Sequence, residues 1–87
     1  MAILIKVDGK PCEVKPKKGK SFTLKEMQTI VGGYIEILGV DDDTCLVVDE
    51  EGKMKNKKVN VNATWFTGGV FGPLVGDVLY CNRSEVK

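Results

Sequence analysis

Two short segments near the N-terminus, residues 2–7 and 10–15, are predicted strands; the first is mostly apolar and the second mixes apolar and polar positions. The first segment is rich in β-branched side chains, which favour strands. Asp8 and Gly9 separate the segments, and an Asp-Gly pair between extended segments is a strong signal for a two-residue hairpin turn. We therefore predict an antiparallel hairpin in which Cys12 and Val14 share one face of a sheet.

The clearest local signal in the chain is a helix start at Thr23. Thr23 is a good N-cap, and Glu26 follows three residues later, which is the spacing of a capping box. Phe22 before the cap and Met27 in the first turn have the spacing of a hydrophobic staple. These residues predict that a helix begins directly after Thr23.

The predicted helix covers residues 23–31 and ends at the Gly-Gly pair at 32–33, where a left-handed cap costs little. Its apolar positions fall on one stripe, which we expect to pack on a sheet. The stripe contains Leu24, Met27, Ile30 and Val31.

The second half of the chain contains three further predicted strands. Residues 34–38 and 44–48 are joined by the acidic turn 41–43 and predict a second hairpin, in which the almost continuously apolar 44–48 is central. Residues 75–81 predict the last strand, with Val78 and Tyr80 on the face opposite Leu79 and Cys81.

The segments around the last strand are less regular. Residues 63–66 predict a short helical turn capped by Asn62, and the polar tail from about residue 83 is expected to fray. At 87 residues there is room for one domain, residues 1–87. We predict an α+β fold, a mostly antiparallel sheet of about five strands with one short helix packed on a face.

Charge and composition exclude several classes of protein. The net charge is +1, with 13 basic and 12 acidic residues, so no overall basic excess indicates nucleic-acid binding. No apolar run approaches the roughly 20 residues that span a bilayer. The N-terminal residues are charged too soon for a secretory signal. The sequence is that expected of a cytoplasmic protein with no membrane contact.

The residues that usually carry catalysis or metal binding are sparse. The chain has no histidine, which excludes Ser-His and Cys-His nucleophile pairs and histidine-containing metal sites. Cys12, Cys45 and Cys81 are far apart, lack a C-x-x-C spacing and lie in predicted strands, so we expect reduced, partly buried structural thiols. The acidic segments 41–43 and 49–52 are typical of turns. We expect no catalytic residue, metal or cofactor.

Lysines form two local clusters. The total charge is nearly balanced, but this does not exclude that the clusters form a phosphate-binding surface. If the fold brings the clusters together, they could contact nucleic acid; otherwise they are solvated loop charges. The first cluster contains Lys15, Lys17, Lys18 and Lys20, and the second contains Lys53, Lys55, Lys57 and Lys58.

The most unusual stretch is the glycine-rich segment 67–73. Glycines let backbone N–H groups approach a ligand, and nearby aromatic rings can stack on one. Alternatively, the segment is a loop whose rings cover a thin core, or a contact between copies of the chain. The candidate ligand or partner contacts are Trp65, Phe66, Gly68, Gly69 and Phe71.

Four segments resemble one family. Residues 24–36 (LKEMQTIVGGYIE) resemble its signature LQ-x-x-VGGYIE, and residues 47–56 (VVDEEGKMKN) resemble VVNEEGKLKN. Residues 60–63 (NVNA) and 75–79 (VGDVL) are similar to its N-x-x-A and I-x-GDVVL segments. This is the domain-of-unknown-function family numbered 3846, found largely in phages, plasmids and conjugative elements. The resemblance covers residues 22–82 and implies an accessory role in a mobile element, with no catalytic residues.

Two functions remain open from the sequence. The first is a non-catalytic accessory protein of a phage or mobile element that binds a host protein or a small ligand. The second is a nucleic-acid-binding module that uses the two lysine clusters. A salt titration of binding to generic DNA and RNA distinguishes them, since nucleic-acid binding weakens steeply with salt.

Overall fold

The computed structural model describes residues 2–86, in which five strands form one sheet in the order β2-β1-β5-β4-β3. Every neighbouring pair is antiparallel. In chain order the elements are β1 (Ala2–Ile5), β2 (Cys12–Val14), α1 (Leu24–Val31), β3 (Ile35–Gly39), β4 (Thr44–Asp49), α2 (Val61–Phe66), β5 (Val78–Asn82) and a 3-10 helix (Arg83–Glu85). The predicted α+β fold, an antiparallel five-stranded sheet with a helix on a face, is confirmed.

Both faces of the sheet are covered, and β4 shows why its sequence is almost continuously apolar. Cys45 and Val47 pack with Met27 of α1 on one face. Leu46 and Val48 pack with Ala63 of α2 on the other. A central strand with apolar layers on both sides needs apolar side chains at successive positions.

The start of α1 is the capping box that the sequence predicts. Thr23 Oγ1 accepts from the Glu26 backbone N–H at 3.1 Å, and Glu26 Oε1 accepts from the Thr23 N–H at 2.9 Å. Phe22 and Met27 are both buried in the same cluster. The helix ends at Gly32, whose φ of +83° favours glycine.

The apolar stripe of α1 is narrower than predicted. Met27 and Val31 are buried and Ile30 packs against their cluster. Leu24, however, is 53% exposed. Because α1 is only eight residues long and packs mainly on β3, β4 and β5, its first turn extends past the apolar surface of the sheet.

The first hairpin forms, but not with the predicted two-residue turn. Ala2 lies opposite Val14 and Leu4 opposite Cys12, a register shifted by one residue from the one that a turn at Asp8-Gly9 would impose. Pro11 lacks a backbone N–H and cannot extend the ladder, so the strands separate early. Cys12 and Val14 share a face as predicted, but Cys12 on this edge strand is exposed rather than partly buried.

One prediction about α2 is wrong: its cap is Asn60, not Asn62. The tail that is expected to fray makes contacts with the core in this structure, since the Phe22 N–H donates to the Glu85 carbonyl at 2.6 Å and Val86 packs against the cluster beneath α1. The end of the chain thereby covers part of the core that so short a helix leaves open. Lys87 lies outside the described residues.

Candidate functional site: the exposed surface of α2

A buried asparagine holds α2 against the sheet. Asn60 Oδ1 accepts from the Ala63 backbone N–H at 2.9 Å, which caps the helix. Its Nδ2 donates to the carbonyls of Ile5 and Gly76, both at 2.8 Å. The side chain is fully buried and all its hydrogen-bonding groups are used. One residue therefore joins α2, β1 and the segment before β5.

The glycine-rich segment after α2 is a series of closed turns. Gly68, Gly69 and Gly72 have φ between +66° and +76°, conformations that side chains disfavour. The N–H groups of all three donate to carbonyls within residues 64–69. Thr64 Oγ1 accepts from the Leu74 N–H at 3.0 Å and ties the end of the segment to the helix. These glycine N–H groups are therefore occupied, and they do not form an open cradle for a phosphate.

The three aromatic side chains of this region have different environments. Trp65 is 79% exposed. Phe66 is 53% exposed and packs edge-on against Tyr80, with ring centroids 4.8 Å apart. Phe71 is half-buried against the cluster beneath α2. The three rings are close in sequence but differ in the structure. Trp65 is exposed, Phe66 contacts the sheet through Tyr80, and Phe71 covers the core.

Four exposed apolar side chains lie on α2 or just after it, and we call them together the α2 surface. Val61 lies one helical turn before Trp65, on the same side of α2. A shallow depression of about 280 Å³ lies beside the ring and is lined by Thr64, Trp65, Gly68 and Gly69. The α2 surface consists of Val61, Trp65, Phe66 and Val70, all exposed. Of the predicted contact residues, Trp65 and Phe66 belong to this surface, Gly68 and Gly69 line the depression beside Trp65, and Phe71 lies apart in the core cover.

Two lysines of the second cluster have a structural partner that the sequence analysis missed. The Asp49 carboxylate, whose side chain is fully buried, lies 2.6 Å from Lys57 Nζ and 3.0 Å from Lys55 Nζ. Lys57 Nζ also donates to the Val31 carbonyl at 2.6 Å, and Lys55 Nζ to the Gly32 carbonyl at 3.3 Å. We call this group the Asp49 clasp. It links the end of β4 to the C-terminal end of α1, where cations are favourable.

The electrostatics of the Asp49 clasp favour the ionised acid. Burial of Asp49 acts to raise its pKa, but the hydrogen bonds from Lys57, Lys55 and the Glu51 backbone N–H outweigh burial and lower the pKa to about 2. The charges of Lys55 and Lys57 are thus largely neutralised by one carboxylate. The sequence signal was an acid directly after an apolar strand, with alternate lysines shortly after it.

The remaining predicted lysines do not converge on one surface. Lys58 pairs with Asp8 at 3.3 Å, with both side chains mostly in solvent. Lys15 and Lys17 line a groove beside α1 together with Lys25, while Lys53 lines a different groove. Lys18 and Lys20 are exposed. The two clusters therefore lie apart, with Lys25 between the first cluster and Lys55.

Two of the three cysteines, Cys45 and Cys81, are buried as structural residues are. Cys45 and Cys81 lie opposite each other in β4 and β5 and are buried. Burial raises the pKa of both thiols, that of Cys81 to about 12, which keeps them protonated and unreactive. Within residues 2–86 no three acidic, cysteine or histidine side chains are grouped to hold a metal. No helix in this part of the chain could cross a membrane.

Fold and site together define a small antiparallel α+β domain with a rigidly mounted, solvent-exposed apolar surface on its second helix. A family model described as "Domain of unknown function (DUF3846)" matches residues 1–86, and the chain belongs to this family, as the resemblance predicts. Neither a curated protein nor a solved structure matches the chain.

Proposed function

We propose that this protein is a non-catalytic accessory factor of a phage or other mobile genetic element, which binds a host protein in the cytoplasm through the α2 surface. The observation that carries the proposal is Trp65, the chain's only tryptophan, which is 79% exposed on a helix that is otherwise well anchored. Its neighbours Val61, Phe66 and Val70 extend the exposed apolar area.

The exposure of Trp65 is costly in the absence of a partner. Covering a large apolar side chain is worth about 2 kcal/mol, and tryptophan is enriched at the centres of protein interfaces. The Asn60 hydrogen bonds hold α2 in place before any partner arrives. A preformed surface loses less conformational freedom on binding, which favours affinity.

The shape of the α2 surface favours a protein over a small ligand. Small-molecule sites are concave and enclose most of the ligand. The depression beside Trp65 is lined by only four residues. An exposed apolar surface with only a shallow depression can be covered by another protein surface but cannot enclose a small ligand, which supports a host protein as the partner.

The test uses three forms of the protein: wild type, Trp65→Ser and Met54→Ser. Met54 is 81% exposed and lies outside the α2 surface, so it is a matched control for loss of exposed apolar area. Each form is immobilised and exposed to host lysate, and the retained proteins are identified by mass spectrometry. We expect a host protein that wild type and Met54→Ser retain and Trp65→Ser loses.

The candidate is then purified and titrated against the full chain. Because Trp65 is the only tryptophan in the chain, a blue shift of its emission reports burial of the ring directly when the candidate lacks tryptophan. Retention that is the same for all three forms would overturn the proposal. Self-association of the isolated protein, abolished by Trp65→Ser in sedimentation velocity, would assign the surface to a second copy of the chain instead.

Nucleic-acid binding stays a separate prediction, and the convergence of Lys15, Lys17 and Lys25 on one groove is the observation that favours testing it. Fluorescence anisotropy with labelled single-stranded DNA and RNA, repeated at increasing salt, provides the test. Affinity that falls steeply with salt would support nucleic acid, because bound phosphates release counterions. No binding, or binding that changes little with salt, would contradict nucleic-acid binding through these lysines and leave the host-protein proposal in place.

A further inference from the structure

A groove on the opposite face of the sheet from α2 combines an apolar floor with a basic rim. It lies between α1 and the edge strand β2 and has a volume of about 410 Å³. Val14, Phe22 and Ile30 contribute apolar surface, and Lys15, Lys17 and Lys25 surround it. The groove exists because α1 packs mainly on β3, β4 and β5, which leaves the β2 side of this face without a helix. We call it the α1–β2 groove.

The charge around the α1–β2 groove is strongly positive in a nearly neutral chain. Residues 10–26 contain six lysines and two glutamates, a net charge of +4, against +1 for the whole chain. The acid in the groove is Glu26, whose Oε1 accepts from the Thr23 N–H and whose Oε2 accepts from the Lys17 N–H, each at 2.9 Å. Backbone groups bind both Glu26 oxygens, and the nearby Lys17 charge further lowers the Glu26 pKa, so Glu26 offsets only part of the positive charge on the rim.

The strand beside the groove has a free edge. In the part of the chain that the structure describes, β2 is the last strand in the sheet order and pairs with β1 alone. Residues of an antiparallel strand direct their N–H and C=O groups alternately to the two sides, so part of the β2 backbone is directed away from β1. An extended peptide can add to such an edge by backbone hydrogen bonds, with alternate side chains entering an adjacent groove.

We propose that the α1–β2 groove is a second binding site, independent of the α2 surface, that takes an extended acidic peptide segment of a partner protein. Acidic side chains of the segment pair with Lys15, Lys17 and Lys25. Apolar side chains two residues away from them, on the same side of the extended segment, cover Val14 and Ile30. Because β2 has only three residues, the strand contact is short, and the groove and its charges supply most of the selectivity.

The composition of the groove favours a peptide over nucleic acid. Single-stranded nucleic acids are held by exposed aromatic rings as well as by cations. The aromatic side chain in this groove is Phe22, which is buried and only 1% exposed. An apolar floor without a free ring suits aliphatic side chains, and a rim of lysines around it suits carboxylates.

The test measures binding of a labelled peptide, acetyl-Glu-Ser-Leu-Ser-Glu-Ser-Val-Ser-Glu, to the full chain; in an extended conformation its glutamates and apolar residues all point to the same side. Fluorescence anisotropy gives the affinity, and backbone amide shifts in NMR spectra give the location. One control peptide replaces the glutamates by lysines, a second replaces the apolar residues by serines, and a labelled single-stranded DNA of similar length is the third probe. Protein variants are Lys17→Glu and Lys25→Glu, with Lys18→Glu as a charge-matched control on the same loop outside the groove.

We expect saturable binding of the acidic peptide, with the largest shifts at Val14, Lys17 and Ile30, and no binding of the basic peptide. Lys17→Glu and Lys25→Glu each weaken binding about fivefold, the upper range for one exposed ion pair, and Lys18→Glu has less than about a twofold effect. The serine peptide binds more weakly than the parent.

Three results would overturn the proposal. Equal weakening by Lys18→Glu and Lys17→Glu would show attraction to the loop charge without a defined groove. Groove shifts caused by the DNA but not by the acidic peptide would make this a nucleic-acid site. Peptide shifts around Trp65, or no saturable shifts, would remove the second site while leaving the proposal for the α2 surface unaffected.

Discussion

Each of the two helices is anchored at one end by a buried polar side chain, but the two regions differ in what they expose to solvent. At the end of α1, the buried Asp49 carboxylate gathers two lysines that also bind the last helical carbonyls. At the start of α2, the buried Asn60 amide gathers the helix, β1 and the segment before β5. Around Asp49 polar groups are consumed internally, whereas beyond Asn60 the helix exposes Trp65 to solvent. The region around Asp49 stabilises the fold, and the region around Asn60 holds the α2 surface in place.

The segments that carry the family resemblance converge on the Asp49 clasp. A Cβ on Gly33 would lie 2.9 Å from Asp49 Oδ1, and one on Gly52 would lie 2.8 Å from Val75 Cγ2. A Cβ on Gly76 would lie 2.8 Å from Lys57 Cδ, at a φ of +74°. A side chain at any of these glycines would have to displace its neighbours, and at Gly76 it would also be strained by the positive φ. The family segment VVNEEGKLKN has Asn at the position of Asp49 and ends before Lys57, so the quoted segments do not themselves specify the clasp.

The largest effect that separates the two regions is expected from Asp49→Asn. The change leaves Lys55 and Lys57 beside a neutral group and should cost about 3 kcal/mol of unfolding free energy, the lower range for breaking a buried ion pair. Urea denaturation measures the loss, and Glu50→Gln, an exposed neighbour, is the control. A loss below about 1 kcal/mol would mean that the lysines are solvated and that the clasp contributes little.

Asn60→Ala tests the anchor of α2. It removes the helix cap and leaves the Ile5 and Gly76 carbonyls without their donor, at an expected cost of about 2 to 3 kcal/mol. Asn62→Ala is the matched control, because Asn62 is exposed and does not cap the helix. Equal losses of stability in the two variants would contradict the assignment of Asn60 as the cap.

Acid should weaken the α1 side through Asp49. Its folded pKa of about 2 lies below the ordinary aspartate value of 3.8, so the stabilisation is present above about pH 4 and is lost as the pH falls through 2. The shift corresponds to about 2 kcal/mol. The measurement is the difference in unfolding free energy between wild type and Asp49→Asn, followed from pH 7 to pH 2. A difference that does not shrink on acidification would contradict the lowered pKa.

The smallest effects on stability are expected on the α2 side, where two aromatic residues should behave differently. Phe71→Ala removes a half-buried ring from the cluster beneath α2 and should cost about 1 to 2 kcal/mol. Trp65→Ala should change stability by less than about 0.5 kcal/mol, because the ring is exposed. Thermal denaturation compares the two variants. If Trp65→Ala destabilised the protein as much as Phe71→Ala does, the Trp65 ring would belong to the core. The argument that the α2 surface binds a partner would then fail.

Sequence patterns predicted the elements better than the contacts between them. The capping box at Thr23 and the end at Gly32 are where expected because each involves residues at most a few positions apart. The central position of β4 follows from its apolar run. The two-residue turn that Asp-Gly predicts after β1 does not form, because Pro11 lacks an N–H for the ladder and the register is shifted by one residue. The choice of Asn62 over Asn60 failed because both are good caps locally.

By itself, the sequence determined which segments form strands and helices, where α1 begins and ends, and that the sheet is antiparallel. These features depend on short-range hydrogen bonds and on the periodicity of apolar side chains. Only the tertiary structure decided that Lys57 caps a helix 26 residues away and that Asn60 joins three elements. It also decided that Trp65 is exposed while Phe71 is covered. Burial and ion pairing depend on which elements meet in space, and no local spacing encodes that.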